Sequence, residues 1–300
     1  AAPCLDLPCN AQDRWPAEKA KRFGKPISDE DLSAIADAAP DSSTAKPKQA
    51  RRALMFYRCG GFIHNSIPFG NASLEEIGKK TGAFEIDLAD EYEVFNKENL
   101  AQYDCIILNN TTNMIFPEAS QLNAFMDFIA GGKGLVGLHA ASDNFGRHPE
   151  ARAIVGGECG GHPWGAGGTW AFKLNDPEHL LNKSFDGKGF WHKDEIYQYT
   201  PATYVGTAVL RVLVSLDMSK SAVSDRIKDA PREVPVSWVR RAGEGRVFYT
   251  NFGHNASTFQ NPAMLRHILD GVQYAMGDLE VDDQPTSKIA AADPALAPEK

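Results

Sequence analysis

The chain has 300 residues, is 43% hydrophobic, and carries a formal charge of −8 with its basic residues scattered. That composition supports a buried core in one large domain or two modest ones. It excludes a bilayer-spanning helix, because no apolar run is long enough, and it argues against nucleic acid or an anionic membrane as partner, since both need a concentrated positive face. The chain opens Ala1-Ala2-Pro3-Cys4, which reads as a mature end left after signal-peptide removal and predicts a periplasmic or secreted protein. Cys4 and Cys9 are close enough to close a small disulfide loop in an oxidising compartment, or else stand as two free thiols. Residues 1–48 read as an N-terminal extension and linker, with a short helix that starts at Ser28 as N-cap and reaches about Ala38.

From residue 49 to 277 strands and helices alternate. Ala53–Tyr57 is a strand, Ala72–Lys80 a helix, and Phe84–Leu88 a second strand. Cys105–Leu108 is a third, and its unbroken apolar character predicts burial on both faces, with Cys105 as a small core residue. Pro117–Ala130 is an amphipathic helix with Pro117 in its first turn, and Leu135–Leu138 is a fourth strand. This alternation predicts an α/β fold with a doubly wound, mostly parallel sheet. The second half changes character. Thr169–Leu174, Glu195–Tyr199, Val209–Leu216 and Val234–Arg240 read as a β-rich insertion, and Gly243-Glu244-Gly245 as the turn of a hairpin. Pro262–Met276 closes the domain as a helix. Residues 278–300, with Asp282-Asp283 and three prolines at 285, 294 and 298, read as an extended or disordered tail.

Ligands of open α/β sheets bind beyond the carboxyl ends of the strands. Four segments leave those ends: Arg58–Ser66, Asn109–Asn113, the turn at His139, and Thr250–Asn255. One sheet edge therefore collects His64, His139 and His254 with an Asn/Thr loop. The small neighbours Gly137, Ala140 and Ala141 suit a strained turn at His139, where imidazole is a poor acyl nucleophile but a good ligand or base. Gly60-Gly61 reads as a flexible segment that lets the His64 loop fold over the site. The glycine-rich run 156–168 reads as a lid carrying His162. On a strand Glu195 and Tyr197 share a face, while Asp194 takes the other and meets solvent or a cation. His192 reads equally well as a surface residue, and His148, His179 and His267 as structural or exposed. Trp164, Trp170, Trp191 and Phe190 are candidates to stack on a sugar ring, with Trp164 foremost because its loop is glycine-rich.

Taken in order, Gly61-Phe62-Ile63-His64-Asn65-Ser66-Ile67-Pro68, Asn109-Asn110-Thr111-Thr112, Gly137-Leu138-His139-Ala140-Ala141-Ser142-Asp143, Gly161-His162-Pro163, Asp194-Glu195-Ile196-Tyr197 and Gly253-His254 resemble the ThuA-like family of trehalose-utilisation type. The likeness runs from about Arg51 to Gly277 and departs from the family pattern at Asn255-Ala256. It implies a flavodoxin-like, amidotransferase-like sheet in which His139 stands where those proteins carry a nucleophilic cysteine. It also implies chemistry on sugars, notably oxidised (3-keto) glycosides. His139, Glu195 and His162 are the candidate catalytic residues. Ser66, Asn110, Thr111, Thr112, Ser142, Asp143, Trp164 and Asn255 are the candidate substrate contacts. His64, His139 and His254 are the candidate ligands of a divalent metal, zinc or manganese, the alternative being a metal-free pocket whose histidines bind sugar hydroxyls and shuttle protons. The expected activity is metal-assisted C2 proton abstraction followed by elimination, hydrolysis or isomerisation. Two other readings stand beside it: a cysteine hydrolase using Cys159 with His162 or Cys59 with His64, and a non-catalytic carbohydrate-binding module. The expected partner is a small carbohydrate, with pairing into a homo-oligomer open.

Overall fold

The structure is a computed structural model that describes residues 13–221 and 233–300. Cys4, Cys9 and the predicted signal-peptide cleavage end lie outside the described residues. Two helices come first, α1 (Trp15–Phe23) and α2 (Asp29–Ala38). Ser28 caps α2 as its sequence predicts, its hydroxyl accepting the Asp31 N–H at 3.1 Å. The elements β1 (Arg52–Phe56), α3 (Ile67–Thr81), β2 (Glu85–Ala89), α4 (Lys97–Leu100), β3 (Cys105–Asn109), α5 (Ala119–Ala130), β4 (Gly134–Leu138) and α6 (Pro149–Val155) follow. Then come β5 (Thr169–Leu174), β6 (Phe190–Lys193), β7 (Arg211–Leu216), β8 (Pro235–Ala242), β9 (Gly245–Thr250) and α7 (Pro262–Ala275). Among the described residues no helix is long and apolar enough to cross a membrane.

All strands join one nine-stranded sheet in the order β2-β1-β3-β4-β9-β8-β7-β5-β6. The half from β2 to β9 is parallel and the half from β9 to β6 antiparallel. The second-half strands are thus not an insertion set apart: they intervene in sequence between β4 and β9 but extend the same sheet. The predicted hairpin forms, Trp238 opposite Tyr249 and Val239 opposite Phe248.

Side chains of the central strands alternate between two cores. Met55, Ile107, Val136 and Phe248 pack against α3 and α7 through Leu74, Ile77, Leu265 and Leu269. Leu54, Ile106, Leu135 and Val247 pack against α5 and α6 through Leu122, Phe125 and Ile154. Burial on both faces is why these strands read as unbroken apolar runs.

Three local expectations are corrected. Helix α3 begins five residues before Ala72, at Ile67, because Pro68 in its first turn suits a helix start. Pro117 lies outside α5, whose N-terminus is a capping box between Glu118 and Gln121. Residues 195–199 form isolated bridges, Trp164 with Ile196 and Cys159 with Tyr199, and no strand. The ladder ends at Lys193 because the Asp194 carboxylate takes the Glu195 N–H at 2.9 Å.

The flanking segments are docked. Thr44 and Ala45 donate their N–H groups to Gln273 of α7 at 3.0 and 3.1 Å. The tail is extended, and it exchanges paired hydrogen bonds of 3.0 Å between Ala295 and Leu174. His267 is structural, buried in α7, with Nδ1–H on the Leu181 carbonyl at 2.7 Å and Nε2 on the Ser237 hydroxyl at 2.8 Å.

Candidate metal centre at the carboxyl edge of the sheet

His139 follows β4 directly and adopts φ +47°, left-handed backbone that a non-glycine residue holds only where its surroundings enforce it. A Cβ on Gly137 would lie 3.0 Å from the Tyr249 ring and 3.1 Å from Ala141 Cβ, so the residue two before the turn has little room. The Tyr249 hydroxyl donates to the His139 carbonyl at 2.8 Å, and the His139 Nδ1–H donates to the Asn251 carbonyl at 2.7 Å. That last bond fixes the tautomer and leaves Nε2 with its lone pair. Nε2 is buried and, among the described residues, has no hydrogen-bond partner.

His64 ends the loop that follows β1. The Gly60 and Gly61 N–H groups both donate to the Thr112 carbonyl, at 2.8 and 3.0 Å. A Cβ on Gly60 would come within 2.4 Å of the Asn113 carbonyl oxygen. The glycine pair therefore serves close packing of two loops, not the hinge read from the sequence. Thr112 Oγ1 lies 3.5 Å from His64 Nδ1.

His254 follows β9 through Gly253, whose φ of +133° favours glycine. The Gly253 carbonyl accepts from the Ser66 hydroxyl at 2.7 Å and the Asn110 amide at 3.3 Å, which ties three loops together at one atom. On the other side stands Asp194, expected to face solvent or a cation and found fully buried. Its carboxylate accepts from Glu195 N at 2.9 Å, Asn255 N at 3.0 Å, Gly253 N at 2.8 Å and Thr258 Oγ1 at 2.7 Å. Thr258 in turn accepts from His192 Nε2 at 2.8 Å, so His192 is a buried support and not a surface residue.

These supports bring His64, His139, Glu195 and His254 together, with one donor atom from each within 4.8 Å of the others. Glu195 Oε2 lies 3.1 Å from His254 Nδ1 and 3.6 Å from His139 Nε2. Its Oε1 lies 3.1 Å from Nδ1 of His162, whose side chain is 62% exposed. Burial and the neighbouring His139 and His254 push His64 down to about 2, which keeps it neutral. Burial pushes Glu195 up, but the closeness of His139 and His254 outweighs it and holds the carboxyl well below its ordinary range. Burial likewise lowers His254, and contact with Glu195 outweighs it, leaving His254 raised. Three imidazoles and a carboxylate match a divalent-metal donor set, and a buried Nε2 without a partner is an acceptor aimed at something absent from the protein itself.

The expected substrate contacts divide. Ser66, Asn110, Thr111 and Ser142 are buried and bonded inside the protein, Thr111 to Asn144 at 2.6 Å and Ser142 to the Tyr249 hydroxyl at 2.9 Å. They shape the loops. Asn255 ties the glycine-rich loop down through the Ala166 carbonyl at 2.9 Å. Asp143 is half-buried beyond His139; burial, then the Glu158 charge, push its carboxyl up to about 6. Trp164 is 0% exposed inside the core and has no face to offer a sugar. Trp170 donates to the Asp194 carbonyl at 3.0 Å, Phe190 stacks on Phe185, and Trp191 lies under the Lys300 ammonium. Burial pushes the thiols of Cys59 and Cys159 up to about 12, so neither is poised as a thiolate nucleophile.

The sequence reading missed Asn251, Tyr249, Thr258 and the anchoring role of Asp194. A signal existed for Asn251, which stands three residues before His254 at the carboxyl end of β9.

A comparison with curated proteins finds no match. Among solved structures, a ThuA-like protein from Bacteroides uniformis superposes with a TM-score of 0.60 at 20% identity, over 81% of this chain and 99% of that one. A ThuA-like protein from Parabacteroides merdae gives 0.59 at 20% identity, over 82% and 98%. At that identity they establish the fold. The profile of the ThuA family, described as trehalose utilisation, matches residues 52–275 and spans every element that builds the histidine–glutamate cluster; the chain belongs to the ThuA family.

Proposed function

We propose that the chain is a metal-assisted enzyme that acts on a glycoside oxidised to a ketone at C3, removing the C2 proton and releasing the anomeric substituent. The observation that carries this reading is the convergence of His64, His139, Glu195 and His254 on one point, their donor atoms within 4.8 Å. The family's description as trehalose utilisation supports a sugar as substrate. The His139 Nε2 lone pair and neutral His64 suit zinc or manganese. Bound there, the ion supplies Lewis acidity toward negative charge that develops on the substrate.

The rest of the chemistry falls to the protein. The ketone acidifies the C2 proton. His162 is the base: Glu195 Oε1 accepts its Nδ1–H at 3.1 Å, which leaves Nε2 free to take that proton. The C2–H electron pair passes toward the C3 carbonyl and returns to form a C1–C2 double bond as the bond from C1 to the anomeric oxygen breaks. The departing oxygen takes its proton from His162. Water then adds across the double bond, its hydroxyl to C1 and its proton to C2, and releases the free keto sugar. His64, His139 and His254 hold their places throughout, fixed by the loop contacts described above.

The test is turnover of 3-keto disaccharides by protein stripped of metal and then reloaded with Zn²⁺ or Mn²⁺. Activity is expected to vanish on chelation and return with the ion. Undiminished turnover by protein shown metal-free by elemental analysis would remove the ion from the chemistry.

A further inference from the structure

The four aromatic residues that the sequence offered as sugar platforms are buried or engaged elsewhere, yet one aromatic ring does stand open at the centre. Phe62 is 56% exposed, two residues before His64. Its ring meets His64 edge-on at 4.8 Å between centroids and lies nearly parallel to His254, 14° apart at 6.2 Å. The loop bonds to the Thr112 carbonyl hold Phe62 at the rim and keep it from folding into the core. Exposing a large apolar ring forgoes burial, a cost that a ligand covering the ring recovers.

Beyond Phe62, α1 closes a cleft of about 220 Å³ lined in part by Arg14, Glu18, Arg22 and Phe62 itself. Arg22 secures the loop: its Nη1 donates to the Ile63 carbonyl at 2.9 Å, and its guanidinium lies 5.6 Å from the Phe62 centroid. Glu18 stands 3.9 Å from both Arg14 and Arg22, too far for tight pairing, so these groups keep hydrogen-bonding capacity. An apolar face bordered by charged donors and acceptors matches a pyranose, which presents a C–H face and a rim of hydroxyls.

Resting on the sugar reading above, we propose that Phe62 is the stacking platform for the non-reacting ring of a disaccharide substrate, and that Arg14 and Glu18 in the cleft under α1 receive that ring's hydroxyls. Arg22 is a positioning residue, acting through the loop.

The experiment is calorimetric binding of trehalose and of glucose to the metal-loaded full chain. Wild type is expected to bind trehalose more tightly than glucose. Phe62→Ala weakens trehalose by about tenfold, the size of one well-placed aromatic contact, leaves glucose unchanged and retains metal stoichiometry; Phe62→Tyr restores trehalose affinity. Equal trehalose affinity in wild type and Phe62→Ala overturns the platform while the sugar reading stands, as does equal affinity of wild type for the two sugars. A wild-type protein that holds metal, turns over no 3-keto disaccharide and binds neither sugar overturns the sugar reading and the platform with it.

Discussion

Two groups of buried histidines occupy opposite ends of the same argument about polar burial. Under α7, His267 has both ring nitrogens satisfied, at 2.7 and 2.8 Å, and His179 likewise accepts from Leu181 N at 3.2 Å and donates to the Asp282 carbonyl at 2.9 Å. At the carboxyl edge of the sheet, His139 has one nitrogen anchored at 2.7 Å and the other buried with no partner. The first group is complete as it stands and belongs to the core. The second leaves a buried acceptor unsatisfied among the described residues. Burial alone does not separate the two, since all of these rings are buried; the state of the second nitrogen does.

The sharpest break of that contrast is a pair of alanine variants. His139→Ala is expected to lower metal affinity by more than the roughly 100-fold that a lost supporting contact costs, with a smaller loss of stability than His267→Ala, because removal of an orphaned polar atom offsets part of the cavity and of the lost bond to the Asn251 carbonyl. His267→Ala is expected to keep metal affinity and lose about 2–4 kcal/mol of unfolding free energy, from a core cavity and a stranded Leu181 carbonyl. Calorimetric metal titration and urea unfolding of both variants check the two halves together; a large stability loss in His139→Ala with unchanged metal affinity would merge the groups.

A weaker break targets the support under the cluster. Asp194→Asn turns an acceptor of three backbone N–H groups into one that must present a donor to some of them. It is expected to lower metal affinity by about 10–100-fold through misplacement of Glu195 and His254, visible in the same titration with the metal-ligating residues intact.

Acid should act on the two groups through different observables. Burial pushes His267 down to about 4, below the unfolded value of about 6.5. The unfolded chain then binds more protons between those limits, so stability is present above pH ~6.5 and is lost as pH falls toward ~4, by about 3 kcal/mol from this ring. Unfolding curves of wild type against His267→Gln over that window measure it, the variant having the shallower slope. At the proposed metal centre the same acid is expected to lower metal affinity, since each imidazole must be deprotonated to bind an ion. The smallest effect is expected of Ser66→Ala, which loses one hydrogen bond to the Gly253 carbonyl; about 1 kcal/mol in stability and a few-fold change in turnover are the readouts.

The part of this contrast that was legible in the sequence is topological. Apolar strands followed by short polar loops place His64, His139 and His254 at one edge, and the structure brings their donor atoms together. What escaped is whatever depends on side-chain bonds across distant loops. Asp194 looked like the outward partner of Glu195 under strand alternation, but its carboxylate captures the next N–H and ends the strand, so the period of two no longer applies. Trp164 sits among glycines and reads as exposed, yet its bridge with Ile196 draws it into the core. The second-half strands read as an insertion: a local turn signal pairs β8 with β9, but nothing local to them says that β9 also pairs with β4 and so continues the first sheet.

A metal ion at the cluster is tested most directly by anomalous diffraction from crystals soaked in Mn²⁺ or Zn²⁺. One anomalous peak per chain is predicted, within bonding distance of His139 Nε2 and shared with His64, His254 and Glu195. Full soaking with no peak there, or a peak only at surface carboxylates, would contradict it.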